Sequence, residues 1–234
     1  MELKLSDKTA LVTGASMGIG HAIARGLAAE GVQLCITARR RNLLEELSQQ
    51  IIAAGGKPPK IEVIDIMEEG AAQKLADAAV KALGRVDILI NCAGGSRPEI
   101  PVDAPESEWE EVHRLNFVRV RQVTHALLPQ MAKNKWGRVI NISGKSEPSG
   151  LLAASSAKAA IHAWSKGLSR AVGKDGITVN CIPPGRIMSE QIRRKYSPEF
   201  RAEQSAKDIP VGRYGEPEEL AALAVFLASP VAAY

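Results

Sequence analysis

The chain is poor in aromatic residues, and its charges nearly balance. Phe, Tyr and Trp together make up 4% of its 234 residues, and the net charge is only +4. A nucleic-acid-binding surface needs a basic stripe interleaved with aromatic side chains, and the sequence contains no such stripe. We therefore expect no nucleic-acid partner.

Cysteine and histidine are also scarce. The three cysteines, Cys35, Cys92 and Cys181, stand apart from one another in apolar stretches, and the four histidines are scattered. Because no metal-ligand spacing occurs among them, we expect no metal site. Single thiols in apolar strands are typical of buried, reduced cysteine, which favours a cytoplasmic location.

Long hydrophobic runs are missing. The longest, 220–228, is far shorter than the ~20 residues that a helix needs to cross a bilayer. The start, Met1 to Lys4, lacks the apolar core of a signal peptide. We therefore expect no membrane partner. A hydrophobic content of 45% predicts a single domain with a large core over 1–234.

A glycine-rich turn follows the first apolar run, 9–12, and opens into a helical pattern from Ala22. In a strand–turn–helix unit, glycines permit the tight turn, the close approach of a pyrophosphate and the packing of helix on strand. Such a turn can also merely cap a helix, but its place after the first strand favours nucleotide binding. The turn residues predicted to contact a dinucleotide are Gly14, Ser16, Gly18, Ile19 and Gly20.

The second predicted strand, 32–38, is followed by Arg39, Arg40 and Arg41 and by no acidic residue. An Asp or Glu at this point would hold the ribose hydroxyls of NAD, whereas guanidinium groups pair with a 2′-phosphate. The sequence therefore predicts NADP(H) in preference to NAD(H), with Arg39 as the phosphate contact. The alternative is a solvated basic start of a helix.

Strand-like and helix-like runs alternate along the whole chain. The predicted strands are 9–13, 32–38, 61–65, 86–91, 137–143 and 177–182, and the predicted helices are 19–30, 41–54, 68–83, 107–133 and 155–173. This alternation predicts an α/β fold: a single-domain, Rossmann-type, doubly wound parallel sheet with helices on both faces.

Five ordered motifs, from about Leu5 to the end of the chain, resemble the short-chain dehydrogenase/reductase family. They are the glycine turn, Asp65 after a strand, Asn91-Cys92-Ala93-Gly94, Asn116 in a long helix, and Asn180 to Gly185. The nearest branch is that of the 3-oxoacyl-carrier-protein reductases. The resemblance implies hydride transfer between a nicotinamide and a carbonyl or alcohol. It also implies cofactor contacts at Asp65, Asn91, Ala93, Gly94, Lys158, Pro184, Gly185, Ile187 and Ser189.

The family's catalytic tetrad of Asn, Ser, Tyr and Lys is incomplete in this chain. Asn116 and Lys158 match two of the positions, but Ala154 occupies the tyrosine position and Gly144 the serine position. Ser143 is one residue off and is expected to point to the other face of its strand. The candidates to replace the proton donor are Lys145, Ser146, Ser155, Ser156 and Lys158.

Two functions stay open at this point. The first is an NADP(H)-dependent oxidoreductase with a divergent or impaired acid/base site. The second is an NADP(H)-binding protein without turnover, acting as a sensor or as a partner subunit of an active relative. The contacts implied for Ile187 and Ser189 orient the nicotinamide, which favours the oxidoreductase.

The resemblance carries three further expectations. The segment 190–210 should cover a small-molecule substrate, and its basic residues Arg193, Arg194, Lys195 and Arg201 point to an acidic ligand, although solvated surface charges would look the same. Helices 107–133 and 155–173 should build a homo-oligomer, a dimer or a tetramer. The family's final strand should follow Tyr234 and is absent from this chain.

Overall fold

The computed structural model describes residues 1–95, 102–144 and 150–234. These ranges contain six strands: β1 Thr9–Thr13, β2 Gln33–Ala38, β3 Lys60–Val63, β4 Ile88–Asn91, β5 Gly137–Ile142 and β6 Ile177–Ile182. They form one parallel sheet in the order β3-β2-β1-β4-β5-β6. This order is that of a doubly wound dinucleotide-binding sheet, and it confirms the predicted fold class.

Helices cover both faces of the sheet. They are α1 Gly18–Ala29, α2 Arg41–Ala53, α3 Ala71–Leu83, α4 Glu106–His113, α5 Arg119–Lys133, α6 Ala153–Val172, α7 Glu190–Lys195, α8 Pro198–Asp208 and α9 Pro217–Ala228. Helices α1, α2 and α9 pack in one hydrophobic cluster, and α3 and α5 pack in a second one. Because both faces are covered, every residue of β1 is buried.

Successive residues of β1 show how the two clusters share the sheet. Ala10 and Val12 belong to the cluster with α1, whereas Leu11 between them belongs to the cluster with α3. The apolar run at 220–228 lies in α9 and packs against α1, where a Cβ on Gly26 would lie 3.0 Å from Val225 Cγ2. No helix among the described residues is long and apolar enough to cross a membrane.

Several predicted elements differ from the structure at their ends, among them strand 61–65 and helix 68–83. Strand β3 ends at Val63, so the predicted strand 61–65 is wrong at its last two residues. The chain turns there because Asp65 Oδ1 accepts a hydrogen bond from Met67 N at 2.9 Å. The helix predicted from residue 68 begins at Ala71, since Gly70 before it takes a φ of 72°.

The predicted helix 107–133 is divided in three. Helices α4 and α5 are joined by a π-helical turn, Arg114–Val118, with Asn116 at its centre. The Asn116 side chain donates to Val112 O at 3.0 Å, one helical turn earlier. π-Helical turns occur mostly as single turns within α-helices, and they are frequent at functional sites.

Candidate functional site

A cavity of about 940 Å³ opens at the carboxyl ends of strands β1, β2, β4 and β5. Nucleotides bind at this edge of a doubly wound sheet. The predicted site residues that line it are Gly14, Ser16, Gly18, Ile19, Arg39, Asp65, Ala93, Gly94, Asn116, Lys158, Ile187 and Ser189. Gly20, Asn91, Pro184 and Gly185 are not among its lining residues.

The glycine turn has the geometry that a phosphate site needs. Gly14 takes a φ of 67°, and a Cβ there would lie 2.8 Å from Ala93 N. A Cβ on Gly20 would lie 2.4 Å from Gly14 O, so glycine at 20 permits the close packing of α1 on β1. No side chain caps the N-terminus of α1, which leaves its first N–H groups available to an anion.

Asn91 is held in a buried polar network beneath the cavity. Its Nδ2 donates to Thr124 Oγ1 at 2.9 Å and to Asn141 Oδ1 at 2.8 Å. Asn141 Nδ2 in turn donates to Ser165 Oγ at 2.9 Å. The side chain of Asn91 therefore connects β4 to β5 and α5. The next four residues in the chain, Cys92 to Gly95, line the cavity.

Two of the three consecutive arginines reach the cavity. Arg39 and Arg40 line it, and Arg39 Nη1 lies 4.0 Å from Asp65 Oδ2 with 77% of its side chain exposed. Arg41 lies outside and pairs with Glu45 at 3.7 Å. The weak contact to Asp65 leaves the Arg39 guanidinium available to a 2′-phosphate, so these residues fit NADP(H).

Asn116 shapes the floor of the cavity. It is completely buried, and its Oδ1 accepts a hydrogen bond from Gly95 N at 3.1 Å. A Cβ on Gly94 would lie 2.9 Å from Asn116 Oδ1 and 3.1 Å from Lys158 Nζ. The strand end after β4 and the side chains of Asn116 and Lys158 therefore meet at one point.

Lys158 projects from α6 into this floor. Its Nζ donates to Ile142 O at 2.8 Å, and an ammonium has three donors. Burial lowers the pKa of Lys158, despite nearby thiols that favour its charged form. Burial also raises the pKa of the Cys92 thiol beside it to about 11. The cavity floor thus holds a lysine that gives up its proton more readily than an exposed one.

The serine position faces Lys158 but carries no side chain. A Cβ on Gly144 would lie 3.4 Å from Lys158 Cγ. Strand β5 ends at Ile142, so the alternation expected for Ser143 does not apply, and Ser143 does line the cavity. Its Oγ is buried and has no hydrogen-bond partner among the described residues.

The tyrosine position is filled by a small apolar cluster. Ala154 is buried with Val112 and Ala153, packs against Trp109, and does not line the cavity. Ser156 Oγ is within 2.9 Å of His113 Nε2, and neither Ser155 nor Ser156 lines the cavity. Lys145 and Ser146 lie outside the described residues. Of the described candidates for a proton donor, only Lys158 reaches the cavity.

The predicted covering segment 190–210 forms helices α7 and α8. Of its basic residues, Arg194 lines the cavity and pairs with Glu190, another lining residue, at 3.2 Å. Arg201 points elsewhere, with its Nη1 3.4 Å from Met188 Sδ, and Arg193 is exposed without lining the cavity. The Lys195 side chain lies outside the described part of the structure, and among the described basic side chains of the segment only Arg194 lines the cavity.

Two lining residues in α4, Glu111 and Val112, were not predicted from the sequence. Val112 stands four residues before Asn116, so helical spacing was the signal that could have placed it on the same face. Among the described residues, no group of three His, Cys, Asp or Glu side chains is placed to hold a metal ion.

Comparisons with known proteins agree with this geometry. The sequence pattern of the short chain dehydrogenases matches residues 8–199. The 3-oxoacyl-(acyl-carrier-protein) reductase FabG of Aquifex aeolicus is 32% identical over 244 aligned residues, which cover 100% of this chain and 95% of the relative.

Two solved structures show the same fold. L-sorbose reductase of Gluconobacter frateurii, in complex with NADPH and L-sorbose, has a TM-score of 0.93 at 28% identity and covers 100% of this chain and 94% of its own. A 7α-hydroxysteroid dehydrogenase, in complex with NADH and 7-oxo glycochenodeoxycholic acid, has a TM-score of 0.93 at 31% identity. The match covers 99% of this chain and 91% of the dehydrogenase chain. The chain therefore belongs to the short-chain dehydrogenase/reductase family and resembles its 3-oxoacyl-carrier-protein reductase branch.

Proposed function

We propose that this chain is an NADP(H)-dependent oxidoreductase that reduces a carbonyl group, or oxidises an alcohol, with an impaired acid/base site. One observation carries the proposal: the cavity joins the glycine turn and Arg39 to Asn116 and Lys158, while Gly144 and Ala154 occupy the positions of the missing catalytic side chains. Solved relatives hold either NADPH or NADH, so the preference for NADP(H) rests on the arginines of this chain.

The cofactor, when bound, supplies or accepts the hydride. The open N-terminus of α1 would hold its pyrophosphate, and Arg39 and Arg40 its 2′-phosphate. Lys158 would hold the nicotinamide ribose with the donors that Ile142 O leaves free. Ser189 lines the cavity just before α7, and its hydroxyl would hold the carboxamide.

Proton transfer in this proposal falls to Lys158. It is the one described candidate that lines the cavity, and burial lowers its pKa toward the range in which an ammonium can act as an acid. Loss of a dedicated general acid removes ~10²–10⁴ in rate. Hydride donor and acceptor held together in one cavity keep their proximity advantage, so slow turnover is expected.

An acidic substrate is the second part of the proposal. Arg194 lines the cavity with its guanidinium beside Glu190, and both side chains are largely exposed. A carboxylate on the substrate would take the place of Glu190 and form a bidentate pair with Arg194. We therefore infer a carbonyl substrate that also carries a negative charge.

The missing tyrosine supports a second candidate, an NADP(H)-binding protein without turnover. The apolar cluster around Ala154 offers no proton donor, and this absence is compatible with both candidate functions. The test is NADPH oxidation by the purified chain against a panel of ketones, keto acids and quinones, with Lys158→Met as the comparison. Slow oxidation that the variant loses supports the enzyme. NADPH binding without oxidation of any panel member supports the second candidate.

A further inference from the structure

A second cavity, of about 850 Å³, lies outside the nucleotide site. It opens between the N-terminus of α3 and the π-helical turn with the first turns of α5. Three guanidinium groups line it, those of Arg114, Arg119 and Arg121, against the single carboxylate of Glu69. The proposed oxidoreductase function uses none of these residues.

Arg119 is the buried member of this group. Only 8% of its surface is exposed, its Nη1 donates to Gln122 Oε1 and its Nη2 to Met67 O, each at 2.8 Å. Its Nε is buried without a hydrogen-bond partner among the described residues. A buried N–H of a charged group left without an acceptor costs free energy, which an acceptor brought by a ligand would recover.

The other two arginines are free to turn toward a ligand. Arg114 is exposed and Arg121 is half-buried, and neither has an ion-pair partner in the described part of the chain. Arg121 lines the cavity together with His125, whose pKa is lowered by burial and by the charge of Arg121. Both guanidinium groups therefore present unused N–H donors at the cavity.

The N-terminus of α3 adds a third source of positive potential. This helix of 13 residues has Gly70 at its N-cap, no side-chain cap, and no acidic residue in its first turn. Gly70, Ala72 and Gln73 line the cavity, so the unpaired N–H groups and the positive end of the helix dipole open onto it. Helix N-termini and arginine forks are the two devices that proteins use most often to hold phosphate.

We propose that this second cavity binds a phosphorylated small molecule, held by Arg114, Arg119, Arg121 and the N-terminus of α3. Guanidinium groups pair with phosphate oxygens, and the volume leaves room for an organic part as well. The proposal is independent of the reaction in the nucleotide cavity.

The experiment uses inorganic phosphate as the probe and thermal unfolding as the readout. The chain carries Arg39→Ala and Arg40→Ala, so that the nucleotide cavity has lost its arginine contacts to phosphate. Any phosphate binding that remains at the N-terminus of α1 is the same in all the variants compared. Phosphate is added at constant ionic strength, with potassium chloride as the reference, and a ligand that binds the folded state raises Tm in a saturable way. In this background we expect such a rise.

Arg121→Ala and Arg119→Lys should each weaken phosphate binding by about tenfold or more, the value of one charge-assisted hydrogen bond. Arg170→Ala, at an exposed position on α6, is the matched control and should bind phosphate as the background does. Arg121→Ala keeps the test decisive if the lysine variant fails to fold. An equal phosphate response in Arg121→Ala and Arg170→Ala, or a rise that chloride reproduces, would overturn the proposal.

Discussion

Among single residues, Lys158 combines two roles in the account, cofactor contact and proton source. Lys158→Met keeps most of the apolar stem and removes the ammonium, so packing should survive. We expect NADPH affinity to fall about tenfold, the value of one charged hydrogen bond, and turnover to fall much further. Binding is measured by intrinsic Trp fluorescence and turnover by NADPH oxidation.

The pH profile separates the two roles of Lys158. An acid works only while protonated, so turnover should fall as pH rises through the pKa of Lys158. Burial lowers that pKa, which places the fall below the ordinary lysine value of 10.5. Lys158→Arg keeps the charge but cannot give up a proton, so NADPH binding should persist while turnover is lost at every pH. If turnover and affinity drop together in Lys158→Met, the lysine only positions the cofactor, and unchanged binding would mean that α6 does not face the nucleotide.

Arg39 decides the cofactor preference at the other end of the cavity. We expect NADP(H) to bind at least tenfold more tightly than NAD(H), since a charge-assisted fork contributes ~1.5–3 kcal/mol. Arg39→Ala should remove most of that difference and leave NAD(H) affinity nearly unchanged. Arg41→Ala is the control, because Arg41 pairs with Glu45 outside the cavity. Equal affinities in the unmodified chain would contradict the assignment.

At the scale of elements, α6 and the end of β5 hold the two vacant catalytic positions. Gly144→Ser places a hydroxyl beside the Lys158 stem, where a Cβ has a contact of 3.4 Å. Ala154→Tyr must displace the Val112 and Trp109 side chains, and such overpacking costs ~1–3 kcal/mol of stability. The double variant should reduce carbonyls faster while unfolding at a lower temperature.

Gly144→Ser alone is the control for that experiment. It adds the hydroxyl without disturbing the cluster around Ala154, so stability should hold and activity should change little. Both variants are compared by NADPH oxidation and thermal unfolding. A double variant that binds NADPH and reduces carbonyls no faster would show that the position of residue 154 in this fold cannot deliver a phenol to the substrate.

The elements show which parts of the fold can be predicted from the sequence. Strands β1 and β6 were predicted at their observed residues. For β1 the reason is burial on both faces, which gives a continuous apolar run. The π-helical turn at Asn116 could not be predicted, since it depends on a side chain that bonds Val112 O and Gly95 N. A hydrophobic pattern does not record such bonds.

The site shows the same division. The vacant catalytic positions at Gly144 and Ala154 followed from the resemblance to the family, and the structure places Gly144 against Lys158. Spacing could not tell which basic residue of 190–210 faces the cavity, because that depends on how α7 is rotated above it. Only Arg194 does so among those whose side chains are described. The cavity around Arg119 depends on a hydrogen bond to Met67 O, a contact between distant parts of the chain.

At the scale of the whole molecule, we expect a homo-oligomer built through the faces of α5 and α6. Trp164 is half-buried and meets Phe117 edge-on with ring centroids 6.4 Å apart, an aromatic pair typical of interface centres. Trp164→Glu should shift the chain to monomers in light scattering, whereas Lys166→Glu, exposed on the same helix, should not. A monomeric unmodified chain would contradict this expectation.

Hydride transfer from the nicotinamide is the central claim, and isotope transfer tests it most directly. The purified chain is incubated with NADPH that carries deuterium at C4 of the nicotinamide and with the panel of carbonyl compounds, and the alcohols are analysed by mass spectrometry. The account predicts slow appearance of one deuterium in an alcohol product, lost in Lys158→Met. Tight NADPH binding with no deuterium in any product of the panel would contradict it and leave a cofactor-binding protein without turnover.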